Sequence, residues 1–446
     1  MRRLAVFFFV LLFFPLAGYA ADNVTTFTLE NGMDGVVIRD TRAPVVTHMV
    51  WYRIGAADEV PGKSGLAHLV EHLMFKGTKA YGPGELSRIV AANGGSENAF
   101  TSFDYTGYFQ RVAADRLGLM MQLEADRMRG LILSKKDVTT ERSVVLEERS
   151  TRTDDNPGAL FSEQRNAALY LNSHYGIPVI GWRHEVEKLT REDALAFYHK
   201  YYAPNNAILV VAGDVDPAKV KAMAEKYYGP IAPSKGVKRR NRPSEPPQLA
   251  ARRLFFSDAR VSQPYVIRTY LAPERNAGAQ KQAAALTMLA EVLGGNGINS
   301  VLGRALQLKQ KIALDASAFY DGLSLDKTSF GVFVVPAKGV GLQQAEDAMD
   351  AVIAQFMKDG VDPAQLKRIK TQIRASQIYG RDSLQGRARK YGTALTSGLT
   401  VKDVQDWPDI LQAVSADDIM AAAKMVFNRK QSVTGWLMRA DNEAQK

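Results

Sequence analysis

Apolar and polar positions change period repeatedly along the chain, and the changes mark out two similar series of elements. In the first series, Phe27 to Leu29, Gly35 to Ile38 and Val45 to Tyr52 read as extended segments. Gly65 to Met74 then carries the three-to-four-residue spacing of a helix, further helices follow, and the continuous apolar run Ala207 to Gly213 reads as a buried strand. In the second series Tyr265 to Leu271 reads as a strand and Ala279 to Leu293 as a helix. The strands Ala316 to Tyr320 and Ser329 to Val335 follow, and then the helices Leu342 to Lys358 and Pro363 to Tyr379. Strands mixed with long helices predict an α+β fold of two tandem homologous α/β-sandwich domains, each a mixed sheet plus a helical layer.

Between the two series, Gly229 to Gln248 is rich in Pro and basic residues and has no apolar period. The expected division is therefore 1–20, 21–230, a linker at 231–248, and 249–446. Sliding one series over the other lays His68-Leu69-Val70-Glu71-His72-Leu73 on Met288-Leu289-Ala290-Glu291-Val292-Leu293. The apolar spacing survives and both histidines are lost, so a duplication is expected with metal in the first half only.

Composition adds limits. A chain of 446 residues, 46% apolar and 23% charged with no Cys, is globular and large enough for more than one core, which excludes disordered, collagenous and disulfide-stapled classes. Arg2 and Arg3 precede the apolar run Leu4 to Ala17, and Gly18-Tyr19-Ala20 follows as a small-residue cleavage site. Residues 1–20 thus read as a secretory signal, or in the alternative a retained anchor, which predicts export with the periplasm as the compartment. No later stretch reaches the ~20 apolar residues of a spanning helix, so no membrane span is expected in the mature chain. The charge of +10 includes those two arginines and is otherwise spread thinly. The one dense basic run, Lys235 to Arg242, lacks aromatic platforms and reads as solvated linker, with no nucleic-acid partner.

The segment Leu66 to Phe75 carries the candidate chemistry. On a helix His68 and His72 lie about 40° apart and Glu71 about 60° from His68, so all three share one face. Two neutral imidazoles one turn apart can clip a zinc ion, and a carboxylate beside them can take a proton from water. The pattern is H-x-x-E-H, the reverse of the commoner H-E-x-x-H. An amphipathic helix whose polar face happens to carry these residues is the plainer alternative. A third ligand is available in Asp137 to Arg149, where Glu141 and Glu148 lie two turns apart and about 20° from each other, with Glu147 turned away. One of the pair could complete two His and one carboxylate while the other orients a ligand.

The sequence here resembles the inverzincin peptidases of the insulinase and pitrilysin family, which includes the mitochondrial processing peptidase. The likeness runs through Gly65 to Thr78, Asn98-Ala99-Phe100-Thr101, and Tyr201-Tyr202-Ala203-Pro204-Asn205-Asn206 leading into Val210 to Asp214. Nearly the whole mature chain fits a two-domain, processing-peptidase-like member. The resemblance implies a Zn2+ cofactor held by His68, His72 and Glu148, with Glu71 as general base and Glu141 as the supporting carboxylate. The implied activity is hydrolysis of peptide bonds by a zinc metalloendopeptidase.

Gly94 to Thr101 reads as a turn into a strand, which the resemblance places at a sheet edge beside the metal. Asn98, Ala99 and Phe100 are the expected contacts for an extended peptide added to that edge. The family's second half supplies an Arg and, seven residues later, a Tyr that stabilise the oxyanion; here Gln307 and Leu314 stand in those places. Leu donates no hydrogen bond, and Arg304, one turn earlier, is the only nearby substitute. The resemblance therefore implies a metal-bearing subunit of a heterodimer whose homologous, metal-free partner carries Arg and Tyr. A self-sufficient homodimer or monomer, and a non-catalytic scaffold of the same fold, are the alternatives.

Overall fold

The structure, a computed structural model, describes residues 24–440 apart from 239 and 296, so the expected signal at 1–20 lies outside the described residues. Among them, eleven strands form two sheets. The first sheet contains β1 (Val24–Thr28), β2 (Asp34–Arg39), β3 (Val45–Tyr52), β4 (Ser96–Thr101), β5 (Thr106–Ala113) and β6 (Ala207–Gly213), in the spatial order β1-β2-β6-β3-β5-β4. The second contains β7 (Arg252–Asp258), β8 (Tyr265–Ala272), β9 (Ala313–Tyr320), β10 (Thr328–Pro336) and β11 (Ser432–Arg439), in the order β7-β11-β8-β10-β9.

With β1 set aside, the two sheets have one topology. In each, the first strand runs parallel to the last (β2 with β6, β7 with β11), and the remaining neighbours are antiparallel. The duplication inferred from sequence is thus present in strand order and direction. Each predicted strand named above falls on an observed one.

Helices α1 (Leu66–Leu73), α2 (Glu85–Ala92), α3 (Leu117–Gly130), α4 (Lys135–Arg149), α5 (Pro157–Leu169), α6 (Arg183–Val186), α7 (Arg191–Tyr201) and α8 (Pro217–Tyr227) belong to the first half. The second half has α9 (Lys281–Ala290), α10 (Leu342–Asp359), α11 (Pro363–Tyr379), α12 (Leu384–Thr396), α13 (Val401–Ala413) and α14 (Ala416–Val426). Helix α9 stops short of the predicted Leu293, because Glu291–Gly295 widens into a π turn.

Strands β3 and β6 are apolar on both faces because both faces are covered. On one face Val46, Val50, Leu209 and Val211 pack with α1, α3, α7 and α8. On the other, Met49, Trp51, Ile208 and Val210 pack with Ala388, Tyr391 and Ala394 of α12, which comes from the second half. The second sheet shows the converse: Val266 and Tyr270 face α9, α10 and α14, while Ile267 and Leu271 face Phe161 and Leu169 of α5, from the first half. Each half lends a helix to the other's sheet. Sequence periodicity marks such helices as apolar on one side but carries nothing about which sheet they cover.

Among its described residues the segment 231–248 holds no regular element; Lys235 and Lys238 are exposed as expected of a solvated run, but Arg240 and Arg242 are not. The Arg242 side chain is only 6% exposed and bonds Asp58 at 2.8 Å, Asp104, and Asp326 at 3.0 Å. Arg240 donates to the carbonyl oxygens of Asp104 and Thr396. Carboxylates from both halves converge on these cations, which a count of charges along the chain does not reveal. No helix among the described residues is long and apolar enough to cross a membrane.

Candidate metal centre

Helix α1 begins at Gly65, whose φ of 86° is left-handed; a Cβ there would lie 2.6 Å from the Ile180 carbonyl oxygen, so only glycine fits. No side chain of the cap residue serves the first turn. Glu59 does so instead, accepting from the Gly65 N–H at 3.0 Å and the Ala67 N–H at 2.6 Å. The helix buries Leu66, Ala67, Leu69, Val70 and Leu73 against the first sheet and turns His68, Glu71 and His72 toward α4 and β4.

Helix α4, opened by a Ser134–Asp137 capping box, brings both predicted carboxylates to that face. Glu148 Oε2 lies 3.6 Å from His68 Nε2 and 3.3 Å from His72 Nε2. Donors 2.0–2.2 Å from a tetrahedral zinc lie about 3.3–3.6 Å apart, which both distances to Glu148 match. Among the described residues, His68, His72 and Glu148 are the group able to hold a metal ion. Glu141 stands one step back: its Oε2 is 3.3 Å from His72 Nδ1, the nitrogen facing away from Glu148, and its other oxygen pairs with Lys76. Such a carboxylate fixes the imidazole's tautomer and orientation.

Burial drives His68 well below the ordinary histidine range, to about 3, helped by the His72 imidazole and the Arg152 guanidinium. It is neutral at pH 7, as a metal ligand must be. Burial also raises the Glu71 carboxyl, while a hydrogen bond donated by the Thr101 hydroxyl to Oε2 opposes the rise. Glu71 is not one of the three converging donors.

The predicted strand is β4, which among the described residues is an edge of its sheet. Its register turns Ala99 toward the α1 face and puts Thr101 at Glu71. Phe100 points the other way, packing on Trp51 and Tyr105, so its ring lies on the face of β4 opposite the metal cluster. Asn98 is exposed, and its Oδ1 accepts from the Ala99 N–H.

In the second half, Gln307 donates to the Leu314 carbonyl oxygen at 2.6 Å, and Leu314 is 59% exposed. Arg304 donates to Gln365 in a cavity of about 240 Å³ lined by Asn299, Arg368, Ile369 and Gln372, all from the second half. It is not brought to the metal cluster. Sequence reading missed Lys76, which pairs with Glu141, and Arg152, which pairs with Glu148 Oε1. Both follow a site residue by four positions, Lys76 after His72 and Arg152 after Glu148, a signal that could have found them. Thr101 lies in the quoted motif but nothing local assigns it to Glu71.

A duplicated sheet-and-helix fold with a two-histidine, one-carboxylate cluster on its first half alone defines a class: metallopeptidases built of two related halves. Residues 35–182 match the family described as insulinase (peptidase family M16), and residues 188–373 match the peptidase M16 inactive domain. The chain is 30% identical to the zinc protease PqqE of Helicobacter pylori over 92% of this chain and 91% of that one. It is 27% identical to an uncharacterized zinc protease of Streptomyces coelicolor over 91% and 88% of the two chains. A crystal structure of a protease from Helicobacter pylori superposes with a TM-score of 0.85 at 29% identity, covering 93% of this chain and 99% of that one. The chain belongs to peptidase family M16, the insulinase family.

Proposed function

We propose that this protein is an exported zinc endopeptidase subunit that cleaves extended peptides and reaches full activity with a homologous, metal-free partner chain. The convergence of donor atoms from His68, His72 and Glu148 within 4.8 Å of one another carries the reading. A zinc ion held by these residues would supply Lewis-acid chemistry, able to acidify a water and polarise a scissile carbonyl. Glu141 and Lys76 hold His72 in orientation, and Arg152 steadies the far oxygen of Glu148.

Glu71, free of the ligand set, takes the proton from the attacking water and gives it to the leaving amine. Thr101 donates to the Glu71 oxygen that faces β4 and so fixes the carboxylate beside the ligand set. An extended peptide adds to the outer edge of β4 through main-chain bonds, Asn98, Ala99 and Phe100 lying along it. The oxyanion lacks a donor from this chain's second half, since Gln307 is committed to Leu314 and Leu314 has none to give. The proposed partner supplies Arg and Tyr there. The basic and apolar N-terminus supports export, with the periplasm as destination.

Metal analysis of the purified chain together with hydrolysis of an unstructured fluorogenic peptide tests the reading. About one bound zinc and zinc-dependent cleavage are expected. A chain that binds no zinc, or that stays inert with zinc bound and a homologous partner added, overturns it.

A further inference from the structure

On the face of β4 opposite the metal cluster, Phe100 carries a cation from the other half of the chain. The guanidinium carbon of Arg389, on α12, sits 4.2 Å from the centre of the Phe100 ring. Phe100 is itself held edge-on against Trp51, ring centres 4.8 Å apart, and against Tyr105. Two residues earlier, Arg387 pairs with Asp40 and so helps to dock α12 on the first sheet. Arg389 is exposed and has no such pairing; among the described residues no carboxylate lies within 4.0 Å of it.

Stacking on a ring fixes the guanidinium plane and leaves its in-plane N–H donors open, the geometry that receives a carboxylate through two parallel bonds. The ring beneath them belongs to β4, whose outer edge pairs with no strand among the described residues. A strand added to β4 projects alternate side chains onto the Phe100 face, each about 4.5–5.5 Å from the β4 residue opposite it. A side chain opposite Phe100 therefore shares the face of the sheet that carries Arg389.

Resting on the strand-adding role of β4 proposed above, we propose that Arg389 is a specificity-determining residue lent by the second half, which binds a carboxylate of the extended peptide on the Phe100 face. The carboxylate is that of an Asp or Glu side chain or of a free peptide C-terminus; the chemistry is shared and the experiment separates them.

Zinc-loaded Glu71→Gln chain serves as a non-cleaving trap, and its affinity is measured for a series of amidated peptides in which one Asp, or one Asn, is moved position by position along the sequence. A second series replaces the amide by a free carboxyl and shortens the peptide stepwise. In one register an Asp or a terminal carboxyl should tighten binding about fivefold over its neutral match, the scale of an exposed ion pair. Adding Arg389→Gln should bring that ratio to about one, and Arg389→Lys should keep part of it, since charge remains without the fork. A preference confined to the free-acid series assigns the terminal carboxylate; one confined to the amidated series assigns the side chain. Absence of preference in any register, or a preference that survives Arg389→Gln, overturns the proposal. Because binding to the trap is read without turnover, an inert wild-type chain would sink the peptidase reading while leaving this outcome legible.

Discussion

The two halves place the same helix between the same strands and do opposite things with it. Helix α1 follows β3 and precedes β4, and α9 follows β8 and precedes β9. Helix α1 keeps a polar face turned to the carboxylates of α4. Helix α9 is buried almost all round, with Ala283 to Leu286 and Met288 to Ala290 in the core. Where His68 and His72 stand in one, Met288 and Val292 stand in the other, and Val292 is fully buried. Only Glu291 keeps the position of Glu71, and burial raises its carboxyl too. The fold therefore tolerates either a donor set or a core at this place; the converging donors are two histidines on α1 and one carboxylate on α4.

Removing a ligand from the first half should break the contrast most. His68→Ala, His72→Ala or Glu148→Gln each deletes one of three converging donors, so zinc content measured by metal analysis should fall toward zero and cleavage with it. Stoichiometric zinc surviving in Glu148→Gln would show that the carboxylate is not a ligand.

Next in size is the pair of glutamates at matching positions. Glu71→Gln should keep zinc and lose about 10²–10⁴ in kcat, the worth of a positioned proton acceptor, while Glu291→Gln should leave turnover near wild type. Near-normal turnover of zinc-loaded Glu71→Gln removes it as the base. Equal losses in both variants would mean the halves share the work.

The missing donors of the second half come third. The isolated chain should cleave slowly, and a partner bearing Arg and Tyr at the positions of Gln307 and Leu314 should raise the rate per zinc by at least about tenfold, given that one oxyanion donor is worth about 10²–10³. Equal rates for chain and pair would restore a self-sufficient enzyme. A smaller change is expected at the supporting carboxylate: Glu141→Gln loses the ionic hold on His72 and should weaken zinc about 10–100-fold in a competition titration.

The sequence made the strands and the α1 face legible because periodicity and i, i+4 spacing are local properties, and the pairing of Glu141 with Glu148 followed from two turns of one helix. Arg240 and Arg242 were misread because their partners, Asp58, Asp104 and Asp326, come from places distant in the chain, and a charge run looks solvated until its counter-ions are known. A motif names residues without giving the strand's face; the register, with Ala99 opposite Tyr108 and Phe100 opposite Gly107, assigns Ala99 to the metal side and Phe100 to the other. The exchange of α5 and α12 left no local trace at all.

That exchange sets the last and smallest expected effect, on stability and not on chemistry. Helix α12 can lie on the first sheet because Gly392 has no side chain: a Cβ there would sit 2.0 Å from Trp51 Cε2, and Trp51 is fully buried between Phe100 and Tyr105. Neither ring nor backbone has room to yield cheaply, so Gly392→Ala should cost about 1–3 kcal/mol, as overpacking does. The reciprocal contact is of the same kind, since a Cβ on Gly435 of β11 would meet Phe161 of α5 at 2.4 Å. Gly435→Ala should therefore lower the thermal midpoint by a similar amount, with zinc binding retained in both variants because neither site touches the donor set. Because each half contributes a helix to the other's core, the lowered transition should stay single and not split into two. Two resolved transitions in either variant, or a midpoint unmoved by Gly392→Ala, would mean the halves stand independently and that the crossed helices are surface attachments, not shared core.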